Sequence, residues 1–541
     1  MAKKILLYTR IPDNKFCLPS YGNSVHFSVS NNGEDFIPLN NNRGILYAKA
    51  EIDEKNQIVE KGLLTPVITL LSNGDYGIFA KRTDSKGILE ENSDSLRLLW
   101  TTKDFLSFVE HGLVEIEEKY QLDNATDCID ISDKIYEGIQ QQYFPIHNTF
   151  MDIPEKLVVS SKEELQNVVF TAHYSDGSTS IKKYDFDTSG VDFNCPGVYS
   201  IQGKIRQKKY PFPLAVGFAD PVIFLWENKY YYIATNDNNG NIGFLVREAD
   251  DVSDLFLPET KQHLILDKNP ELKLLQTFWA PEFHVIGGRV YILFAVSGDC
   301  FNPQCHMMRL KQGGCITNAD DWEMPVRVRK MDGTFLAEEG ITLDMTHFSI
   351  HGESYFVWSY RLHCMAEGDT GSMLYIASTN PKEPWRLTSE PVLLSRPLYG
   401  WENVNQTINN EGPYALVTND KVYISYSGGA ATSWTYAVGM LSLDINKEPL
   451  NANNWEKSKY PALAFSEKNG IYGPGHNSFF KDKEGDTYIA YHAEVKEADA
   501  PRSSAIHRVH FNCHGVPVLN MYYDKDIKKE YRVIHLDLVL A

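Results

Sequence analysis

Phe218-Ala219-Asp220-Pro221-Val222-Ile223-Phe224-Leu225-Trp226 puts a carboxylate and a proline at the head of an apolar run, and Tyr230-Tyr231-Tyr232-Ile233-Ala234 follows after a short turn. The two runs read as a β-hairpin. The pattern recurs downstream. Trp279-Ala280-Pro281-Glu282-Phe283 leads into Val290–Phe294, Leu343-Asp344-Met345-Thr346-His347-Phe348 into Tyr355–Trp358, Glu411-Gly412-Pro413-Tyr414 into Val422–Tyr426, and Gly475-His476-Asn477-Ser478 into Tyr488–Tyr491. Pro221 and Pro281 are 60 residues apart, and Asp344, Glu411 and His476 continue at intervals of 63, 67 and 65. Hairpins at such a period predict the blades of a propeller with long loops. The fold class expected is all-β: a five-bladed propeller with additions at its N-terminal side.

In a propeller the first strand of each blade lines the axis, so equivalent positions converge on one mouth. The converging residues expected here are Asp220, Trp279, Asp344, Glu411 and His476. Any one acid at a strand start is explained by solvation of a rim. Three in register point further, because close carboxylates raise one another's pKa.

Working outward, residues 210–541 are expected to form the propeller. Residues 151–209 carry short strands and turn signals, such as Val168–Tyr174 before Ser175-Asp176-Gly177-Ser178, and predict a small β-sandwich. Residues 121–150 show few periodic signals and are expected to connect. Residues 1–120 are β-rich. There Thr65-Pro66-Val67-Ile68-Thr69-Leu70-Leu71 and Tyr76–Ala80 repeat the opening pattern with Thr65 in place of the acid. This copy is expected to be a structural extension packed on the propeller.

The 541 residues are 43% hydrophobic and 12% aromatic, ample for a large core, and the net charge is −19. That charge argues against nucleic acid and anionic membranes, which need a basic face. It leaves neutral sugars open as substrates. The N-terminal residues lack a long apolar segment, and no apolar run is long enough for a membrane helix. The eight scattered cysteines show no zinc spacing and are expected as reduced thiols. The location expected is cytoplasmic, or secreted if the natural chain has a further N-terminal segment.

Cleaving a glycosidic bond needs one protonated and one ionised carboxyl group at the scissile bond, and a third acid can tune the proton donor. Asp220, Asp344 and Glu411 meet that demand, with Trp279 to stack on a sugar. The set of Ala219-Asp220-Pro221, Trp279-Ala280-Pro281, Leu343-Asp344, Glu411-Gly412-Pro413 and Gly475-His476-Asn477-Ser478 resembles glycoside hydrolase family 43, the five-bladed propellers that include β-xylosidases, α-L-arabinofuranosidases and arabinanases. The resemblance implies Asp220 as general base, Asp344 as tuning and orienting acid, Glu411 as general acid, and inversion at the anomeric carbon. It implies that His476 is the axial histidine found beside a calcium ion or ordered water. No cofactor is required on that reading, and a structural calcium at His476, through water, is the one metal considered. Ala219 stands where many members have arginine, and Met345 where proline is usual. The Tyr-Ser-Asp-Gly-Ser and Pro-Gly-Val-Tyr phrases of residues 151–209 resemble bacterial immunoglobulin-like modules.

Substrate contacts are assigned to Trp279, His347, Trp434, His476 and Arg502. The leading expectation is an exo-acting enzyme that removes arabinofuranosyl or xylosyl units from oligosaccharides. A carbohydrate-binding propeller without catalysis and a glycosidase for another sugar, such as a galactofuranoside or galactoside, are the alternatives. Neither nucleic acid nor membrane is expected as a partner.

Overall fold

The computed structural model describes residues 2–540 except 14, 117–119, 121, 123, 405 and 406. The chain divides into two compact units, one of residues 1–132 with 212–506, the other of residues 133–211 with 507–541.

The first unit holds five four-stranded antiparallel sheets in the repeat order expected. Their inner strands are Phe218–Trp226, Gln276–Ile286, Ile341–Ile350, Glu411–Val417 and Tyr472–Lys481, which define blades 1 to 5. Each inner strand neighbours the next, and that of blade 5 neighbours that of blade 1, so five blades close the ring. Two devices hold the closure. The outermost strand of blade 5 is Ala215–Val216, from just before blade 1, paired with Ser503–Arg508. The Ser478 hydroxyl of blade 5 donates to the Pro221 carbonyl of blade 1 at 2.7 Å.

The β-branched and aromatic strands pack blade on blade. Ile233, Val246, Phe278 and Ile292 fill the seam of blades 1 and 2, while Leu293, Met307, Phe356 and Trp358 fill that of blades 2 and 3. Complete burial of such side chains contributes about 1.5–3 kcal/mol each.

At the head of each inner strand the register slips. The shift falls between Ala219 and Val222, Trp279 and Glu282, Leu343 and Thr346, Glu411 and Tyr414, and Gly475 and Ser478. Asp220, Ala280, Asp344, Gly412 and His476 there have φ between +44° and +56°. A bulge of this kind turns a strand and re-aims its side chains. Positive φ costs about 1–3 kcal/mol at a residue other than glycine and is tolerated where function demands it. Backbone register also refines the expected alignment. Asp220, Asp344 and His476 are equivalent, whereas Trp279 and Glu411 sit one residue earlier.

The N-terminal residues contribute a sheet of Lys61–Leu70, Tyr76–Asp84, Leu96–Thr102 and Val109–Glu115, in the strand order of a blade. Its bulge lies at Thr65, with φ +47°. Because five blades already complete the ring, this sheet lies outside it, and Thr65 is exposed. A second sheet joins Lys3–Tyr8, His26–Ser30, Ile37–Pro38 and Cys128–Ile131. The N-terminal residues dock on blade 4, where Tyr21 and Tyr47 enter the aromatic cluster of Tyr399, Trp401 and Trp434.

Two boundaries differ from expectation. Residues 121 and 123 of the expected connecting segment lie outside the described residues, but the remainder contains a strand and the helix Asp133–Tyr143. That helix buries Tyr136, Ile139 and Tyr143, a spacing of three and four residues that marks one helical face. The final strand, Val533–Leu540, is not part of the propeller. It joins the second unit, pairing with Gly197–Ile205 along eight residues and in parallel with Lys156–Val159. The alternating burial of Val533–Leu540 completes a core with Phe170, Tyr184 and Ile201, which residues 151–209 cannot close alone. The six strands of this unit are joined in hydrogen-bonded order, and Thr179–Phe186 changes partner half-way, pairing first with Val169–Tyr174 and then with Gly197–Ile205.

Candidate active site

Asp220, at the blade 1 bulge, is 5% exposed. Thr235 Oγ1 donates to its Oδ2 at 2.5 Å. Its Oδ1 lies 3.2 Å from His476 Nδ1, 3.1 Å from His492 Nδ1 and 3.6 Å from Arg502 Nη1. Arg502 is held in turn by two bonds to Asp237, at 2.9 and 2.7 Å. Burial alone would raise the Asp220 pKa, but the His476 and Arg502 charges and the His492 hydrogen bond hold it well below the usual carboxylate range. Asp220 is therefore ionised at neutral pH.

Glu411 has the opposite setting. Burial first, then the Asp344 charge, pushes its pKa up to about 7 against the lowering effects of His476, Tyr436 and Arg361. The Tyr436 hydroxyl donates to Glu411 Oε1 at 2.9 Å. Asp344 Oδ2 accepts the Gly412 N–H at 3.0 Å, so it fixes the backbone beside Glu411. Burial also raises the Asp344 pKa, as does Asp220, against His476 and the Gly412 hydrogen bond. Burial opposes the charged form of His476, but Asp220, Asp344 and Glu411 outweigh it and raise its pKa. The bulges thus gather three acids around one imidazole, with one acid charged and one able to carry a proton.

Trp279 is partly exposed at this mouth, edge-on to Phe301 with centroids 5.9 Å apart. Phe301 is 54% exposed, and the two rings form an aromatic wall. His476 and Arg502, assigned to substrate contacts from the sequence, lie against Asp220. Trp434, assigned with them, is 8% exposed, stacked on Tyr21 at 5.7 Å and edge-on to Phe16 and Phe465. The N-terminal residues cover its ring, which is why a tryptophan in a blade loop has no free face for a sugar. Trp401 is fully buried, its indole N–H donating to the Lys459 carbonyl. His347 stands beside His284 at 5.9 Å and packs on Phe356, and burial lowers its pKa to about 3. Arg508 belongs to the second unit, in a buried pair with Asp526.

The sequence reading missed Thr235, His492, Tyr436 and Glu282. The first three come from second and third strands or their edges, where no repeated phrase marks them. Glu282 follows Trp279-Ala280-Pro281 and lies inside the apolar strand Gln276–Ile286, where no repeated acid marks it. It is buried, bonded to His284 Nε2 at 2.7 Å, with its pKa raised well above the carboxylate range mainly by burial. Among the described residues no group of three or more His, Cys, Asp or Glu is arranged to hold a metal ion. Among the described residues no helix is long and apolar enough to cross a membrane.

The family model described as glycosyl hydrolases family 43 matches residues 210–517. The chain belongs to this family. This family 43 chain is 31% identical over 315 residues to a Streptomyces avermitilis protein named extracellular exo-α-(1→5)-L-arabinofuranosidase, covering 56% of this chain and 62% of that one. It is 32% identical to a Streptomyces chartreusis protein of the same name, over 53% of this chain and 83% of the other. The matched part thus spans about three fifths of the longer relative. Among solved structures, an α-L-arabinofuranosidase from Lactobacillus brevis aligns with a TM-score of 0.51 and 27% identity, over 57% of this chain and 96% of that one. The matched residues carry all five blades and every acid of the site.

Proposed function

We propose that the protein is an inverting, exo-acting glycosidase that releases arabinofuranosyl units, or alternatively xylosyl units, from oligosaccharides. The observation that carries this is the split of two carboxyl groups in one funnel, with Asp220 held ionised and Glu411 raised to about 7, where it can carry a proton. A binding propeller without catalysis has no need of such a split.

Asp220 acts as general base. Its ionised Oδ accepts a proton from a water as that water attacks the anomeric carbon. Glu411 acts as general acid. With Oε1 engaged by Tyr436, its proton is presented from Oε2 to the leaving glycosidic oxygen, whose bond to the anomeric carbon breaks. Asp344 adds to the effect of burial in raising the Glu411 pKa and positions the adjacent backbone. Arg502 and His476 hold Asp220 in place, and Trp279 with Phe301 offers a face to the sugar ring. The names of the Streptomyces relatives support arabinofuranose over xylose. The packing of the N-terminal residues over the blade 4 loops supports a closed pocket that takes a chain end, rather than an open groove.

No cofactor enters this reaction scheme. His476 remains the residue proposed to face a calcium ion through water. The eight cysteines are free, four of them exposed, which supports a reducing compartment; the Streptomyces relatives are named extracellular.

The test is proton NMR of the first-formed sugar from a linear α-1,5-arabino-oligosaccharide, with chromatography of the same digest. The expected product is arabinose of inverted configuration, accumulating before any shortened mid-length fragments. Retention of configuration would remove the base assignment from Asp220, and early mid-length fragments would remove the exo assignment.

A further inference from the structure

A cavity of about 650 Å³ lies away from the funnel, at the rim of the seam between blades 2 and 3. It is lined by Arg327 and Arg329 from the outer edge of blade 2, Trp385 and Arg386 from the loop after the third strand of blade 3, and Asp332 and Glu383. The blade 2 side begins at its fourth and outermost strand, Val326–Arg327, three strands out from the axis.

The three arginines are held in place, yet their charges are not neutralised there. Arg327 Nη2 donates to Gln304 Oε1 and the Ala337 carbonyl, Arg329 Nη1 to the Gly333 carbonyl, and Arg386 Nε and Nη2 to the Met331 carbonyl. Every one of these acceptors is neutral. A guanidinium has five N–H donors, and among the described residues each of the three uses at most two. Arg327 and Arg329 both stack on the Phe335 ring, 3.7 and 4.6 Å from its centroid, so two like charges share one small aromatic surface. Asp332 directs Oδ1 to the Thr334 N–H and hydroxyl at 2.9 and 2.7 Å. Among the described residues neither it nor Glu383 forms an ion pair with the three arginines.

Backbone bonds orient the cavity. The Arg329 N–H donates to the Trp385 carbonyl at 2.8 Å, and the Leu387 N–H returns to the Arg329 carbonyl at 2.9 Å. The Trp385 backbone is thereby tied to Arg329, while its ring, partly exposed, packs on the core between blades 2 and 3 with the Arg309 guanidinium 6.0 Å from its centroid. The chain as a whole carries −19, so long-range attraction does not bring a polyanion here. Any anion held at this rim is held by local recognition. Planar guanidinium donors suit a carboxylate, an indole face suits a pyranose ring, and carboxylate acceptors at the edge suit sugar hydroxyls. One ligand class has all three features.

We propose that this rim cavity binds a uronate residue of an acidic glycan, as a docking site separate from catalysis. It would keep the enzyme on a charged polysaccharide that bears neutral side chains. The sugar carboxylate bonds to Arg329 and Arg386, and the ring rests on Trp385.

Isothermal titration of the whole protein with trigalacturonate tests this. Wild-type protein should bind, and binding should weaken with added salt. Arg329→Gln combined with Arg386→Gln should weaken it at least about tenfold, since charge-assisted bonds are lost. Both side chains are exposed, and hydrolysis of a nitrophenyl arabinofuranoside should stay within about twofold. Trp385→Ala, checked for folding by circular dichroism, should also weaken the trisaccharide. Four results would each overturn the proposal: no binding by wild-type protein at millimolar trigalacturonate, undiminished binding by the double variant, equal binding of the carboxyl-reduced trisaccharide, or inorganic phosphate binding as tightly as the sugar.

Discussion

Tyr436→Phe isolates the proton donor without touching a reacting group. The hydroxyl donates to Glu411 Oε1 at 2.9 Å inside a buried site, and it lowers the Glu411 pKa, opposing burial and Asp344. A hydrogen bond to a charged group contributes about 1.5–3 kcal/mol. Part of that is present with the protonated acid too, so a differential of about 1.4 kcal/mol is a fair expectation, which is about one pKa unit. The sign follows directly. Loss of the donor destabilises the Glu411 carboxylate, so its pKa rises from about 7 to about 8. Glu411 works in its protonated form, so the alkaline limb of kcat/KM should move up by about one pH unit. Asp220, held well below the usual carboxylate range, stays ionised throughout the assay and contributes no limb to it. The groups facing Glu411 are Asp344, His476 and Arg361, all retained, so the limb still reports the coupled site. The assay is arabinose release from an arabino-oligosaccharide, followed from about pH 4 to about pH 9. A nitrophenyl glycoside is unsuitable, because its leaving group needs little protonation. An alkaline limb that stays fixed or moves down in a folded variant would refute the assignment of Glu411 as the acid tuned by Tyr436.

Three further outcomes are expected. Asp220→Asn and Glu411→Gln should each lower kcat on an oligosaccharide by about 10²–10⁴ while leaving the circular dichroism spectrum intact, the usual share of general acid–base catalysis; near-normal turnover would strip the residue of its role. Thr65→Val should leave kcat and KM unchanged, because its sheet stands outside the ring of blades and a threonine cannot serve as ionised base; loss of turnover in a folded variant contradicts this. Trp434→Ala should cost about 3–5 kcal/mol in thermal or denaturant unfolding, as expected for a large buried aromatic, since its ring lies under Phe16 and Tyr21; a variant of unchanged stability but raised KM would return Trp434 to the substrate wall.

Much of the site is visible in one dimension because each blade repeats one local solution. An acid or histidine before an apolar strand, with a proline or glycine nearby, is what a bulged inner strand requires. Asp220, Asp344, Glu411 and His476 are therefore legible from spacing, and the ring of five follows from counting hairpins. The supporting groups are not. Thr235, His492 and Tyr436 sit on other strands and meet Asp220 or Glu411 only across the fold, at separations of 15, 272 and 25 residues. No periodicity marks a hydroxyl or imidazole that works by meeting a partner so far along the chain.

Local preference, alternation and repeat length thus determined the all-β class, the five blades and the acids gathered at their mouth, since these depend on short stretches of backbone. Burial and long-range pairing were decided by the tertiary structure alone. It took Val533–Leu540 out of the propeller, because that strand completes the core of the second unit. It took Trp434 out of the substrate wall, because residues over 400 positions earlier cover its ring. It also set the carboxyl groups apart, lowering the pKa of Asp220 and raising that of Glu411 to about 7, because a pKa is set by the charges and solvent around a group, and the sequence does not state which residues those are.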